Sequence, residues 1–357
     1  MIGNSSPRRI PEGSTPIEWL VNLVHLPYAL GCLFWTILLR VGGPLIARYV
    51  DTSDTNATLT VVLDPSLSLW QAIANLVLNL VLLPFLLIFL VRFMRLKLVQ
   101  SEPELSAISP QGAETLHKVF GGLSRLLPPI LIGAALLGLF VIPGGTPSVK
   151  GSGGNPTLAD LFELGSTLFN GFSLGSFLWV YLSSLRGLHK LGGGALRLRA
   201  VSEDPMLGLR PLGSISLSLA GAYFAVVFLG TVTLLILPFG FSDVALLLIF
   251  LVAGIVMFFL PLNNIHRRMQ QAKRLEQSRI REQFNQLANS ADSPVHEDSR
   301  DALTRIEKLL VVHILDRKVS AVPTWPFDTG ILGRFFAITL SVAAILIARI
   351  IAIELHL

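Results

Sequence analysis

Seven apolar runs divide this chain, at residues 17–40, 70–93, 124–143, 162–185, 212–238, 243–262 and 331–353. Each is near or above the roughly 20 residues that carry a helix across a hydrocarbon core. No water is present there to pair with exposed backbone, so each run must satisfy its own N–H and C=O groups, which for a single segment means a helix. The fold expected is an all-α integral membrane protein of about seven transmembrane helices. Composition agrees: 52% of residues are hydrophobic and 14% charged, against about 25% charged in an ordinary soluble domain.

The net charge of +5 raises the question of nucleic acid. Of 28 Lys and Arg residues, four (Arg40, Arg48, Lys150 and Arg349) fall on one side of the seven-span arrangement and 24 on the other. Basic residues resist translocation, so the side with 24 is the inside. That places the N-terminus in the cytoplasm, the C-terminus outside, and the chain in the cell (plasma) membrane. The charge is accounted for by topology, and no nucleic-acid partner is needed. The one cysteine, Cys32, lies within the first run and permits no internal disulfide. Ala29-Leu30-Gly31-Cys32 is similar to a lipoprotein cleavage site, but the apolar run continues through Leu39, so the first run reads as an uncleaved anchor.

Four units follow. Residues 1–16 are a polar arm expected to be disordered, and residues 17–262 form a six-span bundle. Residues 263–322 form a cytoplasmic antiparallel helical hairpin, and residues 323–357 hold the seventh span. Ser109 and Pro110 read as the N-cap and first residue of an amphipathic lead into the third span. The hairpin rests on periodicity: Ile265, Met269, Ala272, Ile280, Phe284, Leu287 and Ala291 form one helical stripe, broken at Glu276. Val295, Ala302, Ile306, Leu309, Leu310 and His313 form the return stripe, after a turn at Ser293-Pro294. Counting outward from that turn sets residue 276 opposite about 309 and residue 272 opposite about 313. The candidate polar pair across the seam is therefore Glu276 and His313. Between residues 309 and 315 the return helix is apolar on every side. Leu309, Val311, Val312 and Leu315 are the candidate partner surface, to be covered by a second copy or a cytoplasmic protein.

Gly171-Phe172-Ser173-Leu174-Gly175 matches G-x-S-x-G, in which a strained strand-to-helix turn presents a nucleophilic serine. Here the motif lies inside an apolar helix. In that respect it resembles the intramembrane serine proteases of the rhomboid type, which would imply Ser173 as nucleophile with a histidine at bilayer depth as base. The resemblance covers five residues and departs at the base. The one histidine within a run is His25, expected to bond a neighbouring carbonyl, and His266 stands beside Arg267 and Arg268. Gly171 and Gly175 also form G-x-x-x-G, a close-packing signal, as do Gly333, Ala337 and Ser341 at four-residue spacing. Gly192-Gly193-Gly194 beside Arg197 and Arg199 lacks the rest of a phosphate loop and reads as a turn touching anionic headgroups.

Ionisable groups are costly inside a membrane and usually functional there. Mid-span the sequence offers His25 and the neutral Asn75, Asn79, Asn170 and Tyr223, while Glu163, Asp243, Arg334 and Glu354 lie near span ends, where they can reach water. No metal-ligand spacing, nucleotide fingerprint or paired carboxylate appears, so neither cofactor nor metal is expected. The function expected is a non-enzymatic multi-pass protein whose hairpin serves self-association, partner docking or signal relay, within a lipid bilayer. The alternative is a channel or facilitator for a small solute, and a remote third is an intramembrane hydrolase.

Overall fold

The computed structural model describes residues 14–52, 67–109, 112–144, 157–194, 196–197, 204, 206–236, 241–289, 299–321, 325 and 329–354. Every regular element among them is helical. Among the described residues, six helical stretches are long and apolar enough to cross a membrane: Tyr28–Val50, Leu69–Gln100, Leu158–Gly193, Arg210–Thr233, Asp243–Gln286 and Leu332–Ile351. A shorter apolar helix lies between the second and third of these.

The first run is not one helix. α1 (Pro16–Asn22) is a separate short helix, closed by a capping box in which the Thr15 hydroxyl accepts from Glu18 N–H and the Glu18 carboxylate accepts from Thr15 N–H. The chain then turns at His25, whose φ is 55°, and Pro27. α2 (Tyr28–Ile37) therefore starts eleven residues after the run begins. It continues through a π turn (Leu38–Gly42) into α3 (Gly43–Thr52), past the expected end at residue 40. The second span has the same construction: α4 (Leu69–Asn75), a π turn (Leu76–Leu82) and α5 (Leu83–Gln100).

Both π turns end two residues before a proline, Pro44 and Pro84. Proline lacks the N–H for an i→i−4 bond, and its ring crowds the carbonyl four residues back. Widening the preceding turn moves that carbonyl aside while the ladder continues one residue longer. Gly43 N–H accordingly bonds the Leu38 carbonyl and Leu83 N–H the Leu78 carbonyl, five residues back. The two π turns lie side by side in the bundle.

α6 (Glu102–Ile108) and α7 (Ala113–Phe120) follow at the end of the bundle that carries Arg92 and Arg95 (the basic end). The expected lead into the third span is present as α7, but Gly112, at φ 58°, opens it rather than Ser109. The exposed Lys118–Glu114 pair, 2.9 Å apart, holds the Glu114 carboxyl below the usual carboxylate range by hydrogen bond and charge. α8 (Leu127–Gly144) then packs against α9 (Leu158–Gly193), whose N-terminus is closed by a Thr157–Asp160 capping box. A Cβ on Gly175 would come within 2.2 Å of the Pro129 carbonyl oxygen, and one on Gly133 within 2.5 Å of the Gly171 carbonyl oxygen. Glycine is therefore what lets these two backbones meet.

α10 (Arg210–Ile236), α11 (Phe241–Asn289), α12 (Ser299–Ser320) and α13 (Thr329–Glu354) complete the chain. Aromatic rings fill the core between them. Tyr181 of α9 stacks on Tyr223 of α10 at 5.1 Å, Phe224 meets Phe335 of α13, and Phe335 stacks on Phe258 of α11 at 4.1 Å. Toward the basic end, Phe259 meets Trp325, which stacks on His266 at 4.1 Å. Uncharged stretches of 22 residues run from 164 to 185 in α9 and from 244 to 265 in α11. Each is about 33 Å long, close to the thickness of a hydrocarbon core.

Candidate functional site

Two surfaces carry the features that packing alone leaves unexplained: the outward faces of α12 and α13, and a polar face of the first span that meets α9 at Arg40.

α11 runs on past the uncharged stretch to Asn289, and α12 packs along that extension. Lys273 Nζ donates to the Ser320 carbonyl at 2.7 Å, and Ile280 packs with Val312, Leu315 and Val319. The helices are thus antiparallel, with residue 273 level with 320. Residue 276 falls opposite about 317, not 309. The expected register is off by about eight residues, or about 12 Å of helix. Counting from a turn at 293 assumes that both helices leave it level, but α12 is displaced along α11. Glu276 consequently pairs with Arg279 of its own helix, 3.6 Å away. His313 is exposed and lines a groove with Arg281, Phe284 and Asp316. The structure does not bring Glu276 and His313 together. The Ser293-Pro294 turn and Ala291 lie outside the described residues.

The candidate partner surface divides in two. Val312 is buried in the seam with Leu315 beside it, and Leu309 is half-buried. Val311 is exposed. With Leu303, Ile306, Leu310 and Ile314 it leaves a broad apolar face uncovered, from 46% to 67% exposed. Leu303, Ile306, Leu310 and Ile314 follow at spacings of 3, 4 and 4, so they share one side of the helix.

α13 turns Phe335, Thr339, Val342 and Leu346 into the bundle, all buried. Gly333, Ala337, Ser341, Ala344 and Ala348 are exposed on the opposite side, and a Cβ on Gly333 would meet nothing within 4 Å. Among the described residues, nothing packs on Gly333, and Ala337 and Ser341 are exposed beside it, whereas Gly171 and Gly175 do pack, against α8. Ser173 lies between them, fully buried, with no hydrogen-bond partner for its hydroxyl. His25 is exposed in the α1–α2 turn, its Nδ1 3.0 Å from the Leu23 carbonyl, so it is not within a span.

The polar face of the first span was not anticipated. Tyr28, Cys32, Thr36 and Arg40 follow at four-residue spacing on it, and Cys32 and Thr36 are fully buried. α2, which carries the first three, packs on α1, α5 and the π turns, whereas the π turn of Arg40 and α3 pack on α9. Arg40 Nη1 donates to Ser166 Oγ at 2.9 Å. At the basic end, Tyr28 donates to the Ile88 carbonyl and lies beneath the Arg92 guanidinium, 4.4 Å from the ring centroid. Next to it Glu18, 1% exposed, accepts from Arg95 Nε and from the Thr15 hydroxyl, at 2.8 and 2.9 Å. This clamp fixes α1 to α5.

The Gly192–Gly194 run closes α9 rather than opening a helix. Arg268 donates to the Gly193 carbonyl, and Ile265 packs on Gly192. Such an end presents carbonyls and negative dipole, which a cation satisfies and a phosphate does not. Among the described residues no group of three His, Cys, Asp or Glu side chains is placed to hold a metal ion.

No family model, curated protein or solved structure matches this chain. Whatever is inferred about its role therefore rests on these surfaces.

Proposed function

We propose that this is a multi-pass plasma-membrane protein of seven spans, N-terminus cytoplasmic and C-terminus outside, that assembles with copies of itself through α12 and α13. The observation that carries this reading is the uncovered apolar face of α12, on a helix that packs beyond the membrane-crossing stretch of α11. Apolar side chains in water at helical spacing call for a second helix. The small-residue face of α13 supports the same occupant. In lipid there is little hydrophobic drive between helices, and small side chains serve to bring backbones together. A partner that covers both faces needs a membrane span joined to a cytoplasmic helix, which a co-oriented second copy supplies. The α11–α12 hairpin is then the cytoplasmic part of an assembly surface and no catalytic site is invoked.

In-membrane cross-linking tests this. In a Cys32→Ser background, Ala337→Cys and Leu310→Cys are each expected to give a covalent dimer on mild oxidation, whereas Leu332→Cys on the opposite side of α13 is not. Monomers at all three positions would refute the assembly and leave a soluble protein as the occupant of α12.

A second reading, a facilitator for a small solute, is favoured by one observation, the polar face of the first span from Arg40 to Tyr28. Liposome flux separates the two, because the assembly reading expects no flux above that of empty vesicles.

A further inference from the structure

Among the described residues, none of opposite charge lies beside Arg40, the charged end of the polar face of the first span. Its Nη1 donates to Ser166, a neutral hydroxyl, and its Nε is buried without a partner. Glu163, one turn along α9, is exposed and makes no described ion pair with it. One turn deeper on the same face of the first span, the Thr36 hydroxyl is fully buried and also unpartnered. A guanidinium withdrawn from water is costly unless it is both hydrogen-bonded and charge-compensated. Arg40 has the first in part and lacks the second.

Taking the uncharged stretch of α9 as its hydrocarbon-spanning part, Ser166, three residues inside Glu163, sits about 4–5 Å below the edge of that part. An arginine side chain reaches from that level to the headgroup region. The backbone that carries it is held firmly. Arg40 belongs to the π turn before Pro44, and a Cβ on Gly43 would come within 2.4 Å of the Phe162 ring on α9. What remains on Arg40 is a set of N–H donors. Its complement is an acceptor-only, negatively charged group with paired oxygens, the geometry of a phosphate against a guanidinium fork.

We propose that Arg40, positioned by Ser166, binds a phosphate group at the end of the bundle opposite the basic end, carried either by a lipid headgroup or by a free oxyanion. This inference does not depend on self-association.

The test uses the full-length protein and follows thermal unfolding, since a ligand that binds the folded state raises its midpoint. One arm titrates delipidated protein in detergent with sodium phosphate against sodium chloride at equal ionic strength. The other compares nanodiscs of phosphatidylcholine with nanodiscs containing phosphatidylglycerol. A rise with inorganic phosphate identifies a free oxyanion, and a rise with phosphatidylglycerol alone identifies a headgroup. Either supports the proposal, provided that Arg40→Gln abolishes the rise. Arg40→Lys keeps the charge and loses the fork, so it should fold and bind about tenfold more weakly, the loss of one charge-assisted hydrogen bond. It carries the comparison if Arg40→Gln does not fold. No rise in either arm, or an equal rise in the variants, overturns the proposal.

Discussion

Substituting Gly175 by alanine should separate close helix packing from every other effect of losing a glycine, because the same helix supplies its own control. A Cβ on Gly175 would lie 2.2 Å from the Pro129 carbonyl oxygen and 2.7 Å from the Gly133 nitrogen, both backbone atoms that no rotamer change can move. Ordinary van der Waals contact begins at 3.4 Å, so α8 must withdraw by about 1 Å, and a gap of that size forfeits a quarter to a half of the dispersion attraction at each affected contact. Inserting a methyl group into a packed interior costs about 1–3 kcal/mol. On Gly165, ten residues earlier in α9, a Cβ would meet nothing within 4 Å. Both substitutions gain the helix propensity of alanine, about 1 kcal/mol, so that term cancels in the comparison. Gly165→Ala should be neutral or stabilising, and Gly175→Ala should be less stable than it by about 2 kcal/mol, roughly a 30-fold shift in the unfolding equilibrium. Reversible unfolding in mixed detergent micelles measures this, with maleimide labelling of the buried Cys32 as the probe. Equal stability of the two variants would refute the claim that α8 and α9 meet through glycine.

Other predictions follow from single contacts. Glu18→Gln should destabilise the protein by about 3 kcal/mol in thermal unfolding, because it leaves Arg95 shielded and unpaired; Glu18→Leu combined with Arg95→Met should cost less than the two single changes together. Cys32, at 0% exposure, should resist maleimide in native membranes and react fully in denaturant, and labelling of the native protein would contradict its burial. Reporter fusions after residue 95, after residue 190 and within 290–293 should read as cytoplasmic and a C-terminal fusion as external; a cytoplasmic C-terminus would remove one span from the proposed seven.

Helical class and the position of most apolar helices were legible in the sequence, because length and hydropathy carry that information directly. The first run shows where hydropathy misleads. Averaging across residues 17–40 hid a break at His25-Leu26-Pro27, and the stop assigned at Arg40 passed over a helix that Gly43 and Pro44 accommodate by widening one turn. The capping signal Thr15-x-x-Glu18 was present but is local, and nothing in the sequence tied Glu18 to Arg95, 77 residues away. The Tyr28–Arg40 stripe could have been found by asking which residues of the run are polar and at what spacing. Small-residue spacing marked α9 and α13 alike. It could not say that Gly175 faces α8 while Gly333 faces outward, since that depends on which side Phe335 and Val342 bury. In the α11–α12 pair, periodicity identified Ile280 as an apolar position of a seam, but it assigned Ile306 and Leu310, which are exposed, to the return stripe and Val312, which is buried there, to the partner surface. Register needed the Lys273–Ser320 contact, and with it Glu276 and His313 came apart.

Subunit counting in a lipid bilayer tests the central claim most directly. Full-length protein reconstituted in nanodiscs or vesicles, fluorescently labelled at its C-terminus, should show two or more bleaching steps per particle. Leu310→Glu on α12 together with Ala337→Leu on α13 should reduce that to one, while leaving the thermal midpoint of the single chain within a few degrees of its original value. Single-step bleaching of the unaltered protein across the accessible range of protein-to-lipid ratios would contradict assembly through these faces.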